Sequence, residues 1–192
     1  MMTLSKAALP VIFITLLSLQ GCAVVAVGAA AVGISSVTDP RTIGTQVDDQ
    51  TIELKANAKL GSDEQLDDSR VVAISYGTNV LLVGQVPNES LKRRAENLIE
   101  DTNGISNIFN QLRIGSKASA AVRAGDSWIT SKIKLKFANT KTIDATDIKV
   151  VTENAEVFLL GQVSPSEAEA AVEVARNVDG VERVIKALTI ER

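Results

Sequence analysis

Apolar residues change their spacing several times along residues 49–114, and the same succession then recurs in residues 126–190. Ile52, Ala56 and Leu60 lie four apart, as on one face of a helix. The runs 71–75 and 80–86 predict two strands, with Tyr76-Gly77-Thr78-Asn79 as the hairpin turn between them. Val80-Leu81-Leu82-Val83 has no polar interruption, the mark of a central strand buried on both faces. Leu91, Ala95, Leu98, Ile99 and Thr102 then fall at i, i+4, i+7, i+8 and i+11, giving a second helix capped by Asn88 and ended by Gly104. Residues 105–114 supply a last strand, so the order is helix, strand, strand, helix, strand.

Writing residues 49–86 over 126–163, an offset of 77, puts Ile52, Ala56 and Leu60 on Ile129, Ile133 and Phe137. It also puts Val80-Leu81-Leu82-Val83-Gly84-Gln85-Val86 on Val157-Phe158-Leu159-Leu160-Gly161-Gln162-Val163. One deletion makes the offset 76, and Asn103-Gly104-Ile105 then meets Asp179-Gly180-Val181. The second copy starts its second helix at Ser164-Pro165-Ser166 and places Ala168, Ala171, Val172, Ala175 and Val178 inside it. Such self-similarity is the signature of a duplicated unit. We assign the units to residues 46–115 and 126–192, joined by a small-residue linker at 116–125 that permits relative motion. Units of this size are marginal alone, so docking of one on the other is equally open.

Residues 7–38 carry no charge, and Lys6 stands just before them. The 13 residues from Ala7 to Leu19 suit the apolar core of a signal peptide, since a membrane span needs about 20. They end in Leu19-Gln20-Gly21-Cys22, which resembles a bacterial lipobox, although Gln20 departs from the usual small or aliphatic residue. Residues 1–21 are expected to be a lipoprotein signal peptide and 22–45 a lipidated linker, with Cys22 carrying acyl chains such as palmitate. The alternative is an uncleaved transmembrane helix from Ala7 to about Gly33. By its likeness to exported lipoproteins, Ala23 after the cysteine implies delivery to the outer membrane.

The 192 residues include no histidine and one cysteine, which excludes His- or multi-Cys zinc sites, disulfides within the chain, and Ser-His-Asp or Cys-His catalysis. No cofactor or metal is expected, and no enzymatic activity. A net charge of −3 lacks the basic footprint of a nucleic-acid binder.

Differences between the copies carry the functional signal. With Ile129 at zero and about 100° per residue, Ile133 and Phe137 form a core-facing stripe, while Trp128 and Leu135 fall at about −100° and about −120°. Both point away from the core, and Lys132, at about −60°, stands beside them. Thr51 and Ala58 are their counterparts in the first unit. Residues 116–141 hold six basic residues and one acid, a net of +5, whereas residues 46–115 hold seven and eleven, a net of −4. An indole suits the headgroup boundary of a bilayer, and nearby cations add up to about 1 kcal/mol each on an anionic surface. We therefore take Trp128, Leu135, Lys132, Lys134 and Ser131 as the lipid-contacting set. The alternative is that Trp128 packs against the first unit or against residues 115–125. Gly84 and Gly161 read as structural glycines that permit close backbone approach. Asp48, Asp49 and Glu53 read as acids favoured by an N-terminal helix turn, and Lys92-Arg93-Arg94 as a solvated face.

The Gly-Gln-Val strand end, the Ala-rich helix, the Asp/Asn-Gly-Val/Ile stop and the closing strand, occurring twice, resemble the BON domain. Two copies behind a lipobox are similar to the dual-BON lipoproteins of Gram-negative outer membranes. The resemblance implies an α/β fold, an α+β sandwich with a three-stranded mixed sheet on two helices in each unit. It also implies a lipid-anchored protein on the periplasmic face of the outer membrane that maintains the envelope and binds anionic phospholipid such as phosphatidylglycerol or cardiolipin. Recruitment to division sites goes with that implication. The competing role is a periplasmic adaptor that presents the same Trp/Lys surface to envelope proteins.

Overall fold

The computed structural model describes residues 41–190; the signal peptide expected at 1–21, Cys22 and residues up to 40 lie outside the described residues. Residues 39–192 form one compact body. Its first helix, α1 (Ile43–Gly61), and its third, α3 (Ala120–Ala138), are both 19 residues long and start at equivalent positions of the repeat. Each begins behind a hydroxyl cap. Thr42 Oγ1 accepts from the Thr45 amide at 3.1 Å, and Ser119 Oγ from the Val122 amide at 3.2 Å. The helices thus begin upstream of the boundaries expected from the repeat. Most of the linker expected at 116–125 is helical, and the 22–45 segment ends inside α1. The rest of the linker is tied down, with the Ala118 amide donating to Gln85 Oε1 at 3.0 Å and Lys117 Nζ to the Asp67 carbonyl at 3.1 Å.

The remaining elements of the first unit are β1 (Arg70–Tyr76), β2 (Asn79–Val86), α2 (Glu89–Glu100), β3 (Asn107–Asn110) and β4 (Arg113–Ile114). Those of the second are β5 (Ile148–Glu153), β6 (Glu156–Val163), α4 (Pro165–Arg176) and β7 (Arg183–Ile190). In both sheets the central strand pairs antiparallel with the first and parallel with the last, which gives the mixed order β1-β2-β3 and β5-β6-β7. The fold is therefore α+β in two tandem copies. The single last strand expected at 105–114 is split in two. Asn110 turns its side-chain amide to the Lys92 carbonyl and to Glu96, and its oxygen takes the Leu112 amide, so Leu112 drops into the core between the pieces.

Both hairpins use two-residue turns with positive φ at both positions, Gly77 and Thr78 in one and Asn154 and Ala155 in the other. Their exposed amides are held from the helix. Asp49 accepts from the amides of Gly77 and Thr78 at 2.8 and 2.9 Å, and Asp126 from those of Asn154 and Ala155 at 2.9 Å each. The two aspartates are thus turn clamps in mid-helix; the helix-start role expected for Asp49 does not hold, because α1 begins at Ile43. Arg94 is likewise no simple solvated residue. Its guanidinium grips the Asp63 carboxylate at 2.6–3.1 Å.

Each unit packs its helices on one sheet face, around Ile52, Leu82 and Ile99 in the first and Ile133, Phe137 and Leu159 in the second. A third core joins the other faces of the two sheets: Ile74, Tyr76, Leu81 and Val83 meet Phe158 and Leu160. This explains the unbroken apolar run of the central strands, which alternate between a helix-facing and a sheet-facing core. Polar ties border this junction. Arg70 Nε reaches both oxygens of Glu153 at 3.0 and 3.1 Å, Gln85 Nε2 donates to Glu153 Oε1 at 2.9 Å, Lys149 pairs with Glu53, and Arg113 with Glu156 at 3.6 Å. Gly84 has φ +126°, and a Cβ there would lie 1.9 Å from the Arg70 carbonyl oxygen. At Gly161 a Cβ would lie 2.4 Å from the Asp147 carbonyl oxygen.

Candidate functional site

Helix α3 is fastened to the second unit by Ile129, Ile133 and Phe137, all buried, and by the Asp126 clamp. That attachment fixes which side chains point outward. Trp128 is 66% exposed and Leu135 65% exposed, about two turns apart on one outer strip. Lys132 lies between them in sequence and its ammonium donates to the Asp179 carbonyl at 3.0 Å, which anchors the positive charge at the border of the strip. Ser131 is exposed on the same side, its hydroxyl given to the Ser127 carbonyl at 2.9 Å. The structure therefore brings Trp128, Ser131, Lys132 and Leu135 together.

Lys134 stands apart from this group. It lines a cleft on the other flank of α3, shared with Arg41, Asp49, Glu53 and Lys149. Lys136, exposed, is better placed, since with Leu135, Asn139 and Val174 it borders an open groove of about 500 Å³ between α3 and α4. The same helical wheel puts it at about −20°, close to Lys132, so the signal is present in the sequence. Across α3, Arg123, Lys132, Lys134 and Lys136 oppose Asp126 alone, while α1 carries Lys55 and Lys59 against Asp48, Asp49 and Glu53.

The first unit also exposes apolar side chains on its first helix. Ile43, Val47 and Leu54, the last 74% exposed, form an apolar row on the outer side of α1. On a helical wheel centred on Ile52, Val47 and Leu54 fall opposite the core, a pattern hidden when Ile43 is assigned to a linker. This row is aliphatic and lies on an acidic unit, so it lacks both the indole and the cationic border of α3.

The buried acids serve structure. Burial pushes the Asp49 carboxyl upward, but hydrogen bonds from the Ser75 hydroxyl, the Thr78 and Gly77 amides and the Arg41 guanidinium outweigh it and hold the group below the usual aspartate value. No set of three or more Cys, Asp or Glu side chains among the described residues could hold a metal ion. No described helix is long and apolar enough to cross a membrane. The transmembrane alternative for residues 7–33 concerns residues outside those described. What the arrangement presents is an amphipathic outer surface on α3.

The sequence matches the BON domain family at residues 48–116 and again at residues 125–192. It is 44% identical to the outer membrane lipoprotein DolP of Haemophilus influenzae over 169 residues, 88% of each chain. It is 45% identical to the 21 kDa hemolysin of Actinobacillus pleuropneumoniae over 151 residues, 78% of each. The osmotically-inducible protein Y of Escherichia coli is 26% identical over 145 residues, 74% of this chain and 72% of that one.

Proposed function

We propose that this chain, which belongs to the BON domain family as a DolP-type protein with two copies in tandem, is an outer-membrane lipoprotein that binds anionic phospholipid through α3. Cys22 would hold the acyl anchor on the periplasmic face, and the role is one of binding, with no chemistry performed. The observation that carries the reading is the pair of bulky apolar side chains, Trp128 and Leu135, standing two-thirds exposed on a helix bordered by Lys132 and Lys136. Lone exposed apolar residues are ordinary on protein surfaces, but an indole and a leucine on one strip with a cationic border match an interfacial helix. Shallow insertion would bring the strip to the headgroups of phosphatidylglycerol or cardiolipin, where the lysines meet negative charge. Support for envelope integrity and action at division sites follow as consequences of lipid recognition.

Trp128 is the only tryptophan, so its fluorescence reports this contact directly. Residues 39–192, added to phosphatidylglycerol vesicles, are expected to shift their emission to shorter wavelength, with less shift as salt rises and none with phosphatidylcholine. Emission that stays at the free-protein position on phosphatidylglycerol would rule the reading out. The second reading is an adaptor that presents the same Trp/Lys surface to envelope proteins, and the Ile43–Val47–Leu54 row gives it a further exposed apolar face. It is favoured if vesicles leave Trp128 unchanged.

A further inference from the structure

The duplication supplies an internal comparison beside the lipid-facing strip. In the first unit the cleft between α1 and the inter-unit edge is lined by Gln46, Gln50 and Glu53. The cations that reach its acids are paired, Arg41 with Asp49 at 2.8 Å and Lys149 with Glu53, leaving Lys134 at the rim. The offset of 77 carries Gln46, Gln50 and Glu53 onto Arg123, Ser127 and Thr130. Those three line the equivalent cleft of the second unit, about 330 Å³, together with Arg70 and Thr152.

Here the positive charge is only partly paired, through Arg70 and Glu153 at 3.0 Å. The Arg123 guanidinium has no hydrogen-bond or ion-pair partner among the described residues. Arg70 gives only Nε to Glu153, so both its terminal amino groups are without a described partner. Thr152 is nine-tenths buried and accepts the Thr130 hydroxyl at 2.7 Å. Its own proton has no described acceptor, unlike that of its counterpart Ser75, which goes to Asp49 at 2.6 Å. Asp126 is the one acid lining the cleft, and both its oxygens are engaged by the turn amides. Two guanidinium groups and a buried hydroxyl donor facing one cleft match a tetrahedral oxyanion, whose several oxygens accept from planar forks.

We propose that the cleft between α3, β5 and Arg70 binds a phosphate group, carried either by a lipid headgroup or by a soluble phosphate ester. It sits on a different flank of α3 from Trp128, so the inference does not need the membrane reading.

The test uses the full chain in nonionic detergent and radiolabelled inorganic phosphate in equilibrium dialysis at low salt. The parent retains phosphate, and Arg123→Gln is expected to weaken that binding about tenfold or more. Lys136→Gln removes the same charge elsewhere on α3 and is expected to change it less than about twofold. Thermal unfolding of Arg123→Gln that matches the parent shows that the loss of phosphate is not a loss of the helix. Trp128→Glu retains phosphate even where it abolishes vesicle binding, which separates this site from the strip. Competition then identifies the source: phosphatidylglycerol mixed into the micelles displaces the label if a headgroup is the ligand, glycerol 3-phosphate if a soluble ester is. A parent that retains no phosphate, or equal losses in Arg123→Gln and Lys136→Gln, overturns the proposal.

Discussion

Removing the indole of Trp128 should weaken binding to phosphatidylglycerol vesicles by a calculable amount and leave the fold alone. A tryptophan side chain offers roughly 150–250 Å² for burial. At 66% exposure, on the order of 160 Å² remains for a partner. If the strip enters the headgroup boundary to half its depth, roughly 80 Å² leaves water, and at about 25 cal/mol per Å² this contributes about 2 kcal/mol, or thirtyfold in affinity. The smaller Leu135, exposed to the same degree, contributes roughly 0.5–1 kcal/mol on the same reasoning, so Leu135→Ala should cost about threefold. Lys132→Gln acts differently. Its loss is at most about 1 kcal/mol and should fade as salt rises, because surface attraction is screened. The measurement is co-sedimentation of residues 39–192 with vesicles at low and high salt. Thermal unfolding of Trp128→Ala should match the parent, since the side chain supports no core. Affinity of Trp128→Ala within about twofold of the parent, with unfolding unchanged, would refute the insertion argument.

Gly84→Ala should be the more damaging of the two glycine changes, costing about 3 kcal/mol or more in urea unfolding, because its Cβ meets backbone at 1.9 Å and its φ is positive. Gly161→Ala, with contact at 2.4 Å and no such φ, should cost about 1–3 kcal/mol. Asp49→Asn should destabilise near neutral pH and progressively less in acid. The folded carboxyl lies below its unfolded value of 3.8, so its contribution is complete above that value and is lost as pH falls through the folded one. Urea midpoints of parent and variant at about pH 6 and about pH 3 should therefore converge; a constant gap would show that the charge is not involved. Phe158→Ala, at the junction of the two sheets, should cost about 3–5 kcal/mol and lower the transition of the whole body, since both units share that core. Two separated transitions would show that the sheets do not stabilise one another.

Much of this architecture can be read from residue spacing because period is a local property. Ile129, Ile133 and Phe137 face the core at a four-residue repeat, and the first hairpin turn announces itself by Gly77 between two apolar runs. The unbroken Val80–Val83 run correctly implies two buried faces, yet it cannot name the second cover, which is the sheet of the other unit. Helix starts read from the core stripe fall late for a related reason. Ile43 and Val47 lie on the outer face of α1 and Val122 is exposed, so the buried stripe begins only after them, and the Thr42 and Ser119 caps mark the true starts. The role of Asp49 and Asp126 is hidden because it joins a helix to a turn that is distant in sequence. Lys134 joins Trp128 only by closeness in sequence, while the helical wheel and the structure set it on the opposite flank.

The sheet-to-sheet junction also decides where binding can reside. A three-stranded sheet with helices on one side would ordinarily leave its other side to water or to a ligand. Here those sides are used up against each other, so the outer surfaces of the helices are the broad faces left to meet anything else. Both first helices expose apolar residues there, but they are not equivalent. Helix α1 offers aliphatic Val47 and Leu54 on a unit of net charge −4, and α3 offers an indole among lysines. An anionic bilayer repels the first combination and attracts the second. Exchange of charge between the helices is therefore the sharper probe of the two surfaces. Lys132→Glu with Lys136→Glu, which leaves Trp128 and Leu135 in place, should lower affinity for phosphatidylglycerol by more than the Trp128→Ala change at low salt and by less at high salt. If charge reversal has no effect at either salt, then apolar exposure alone governs the choice of face, and α1 should bind as well as α3.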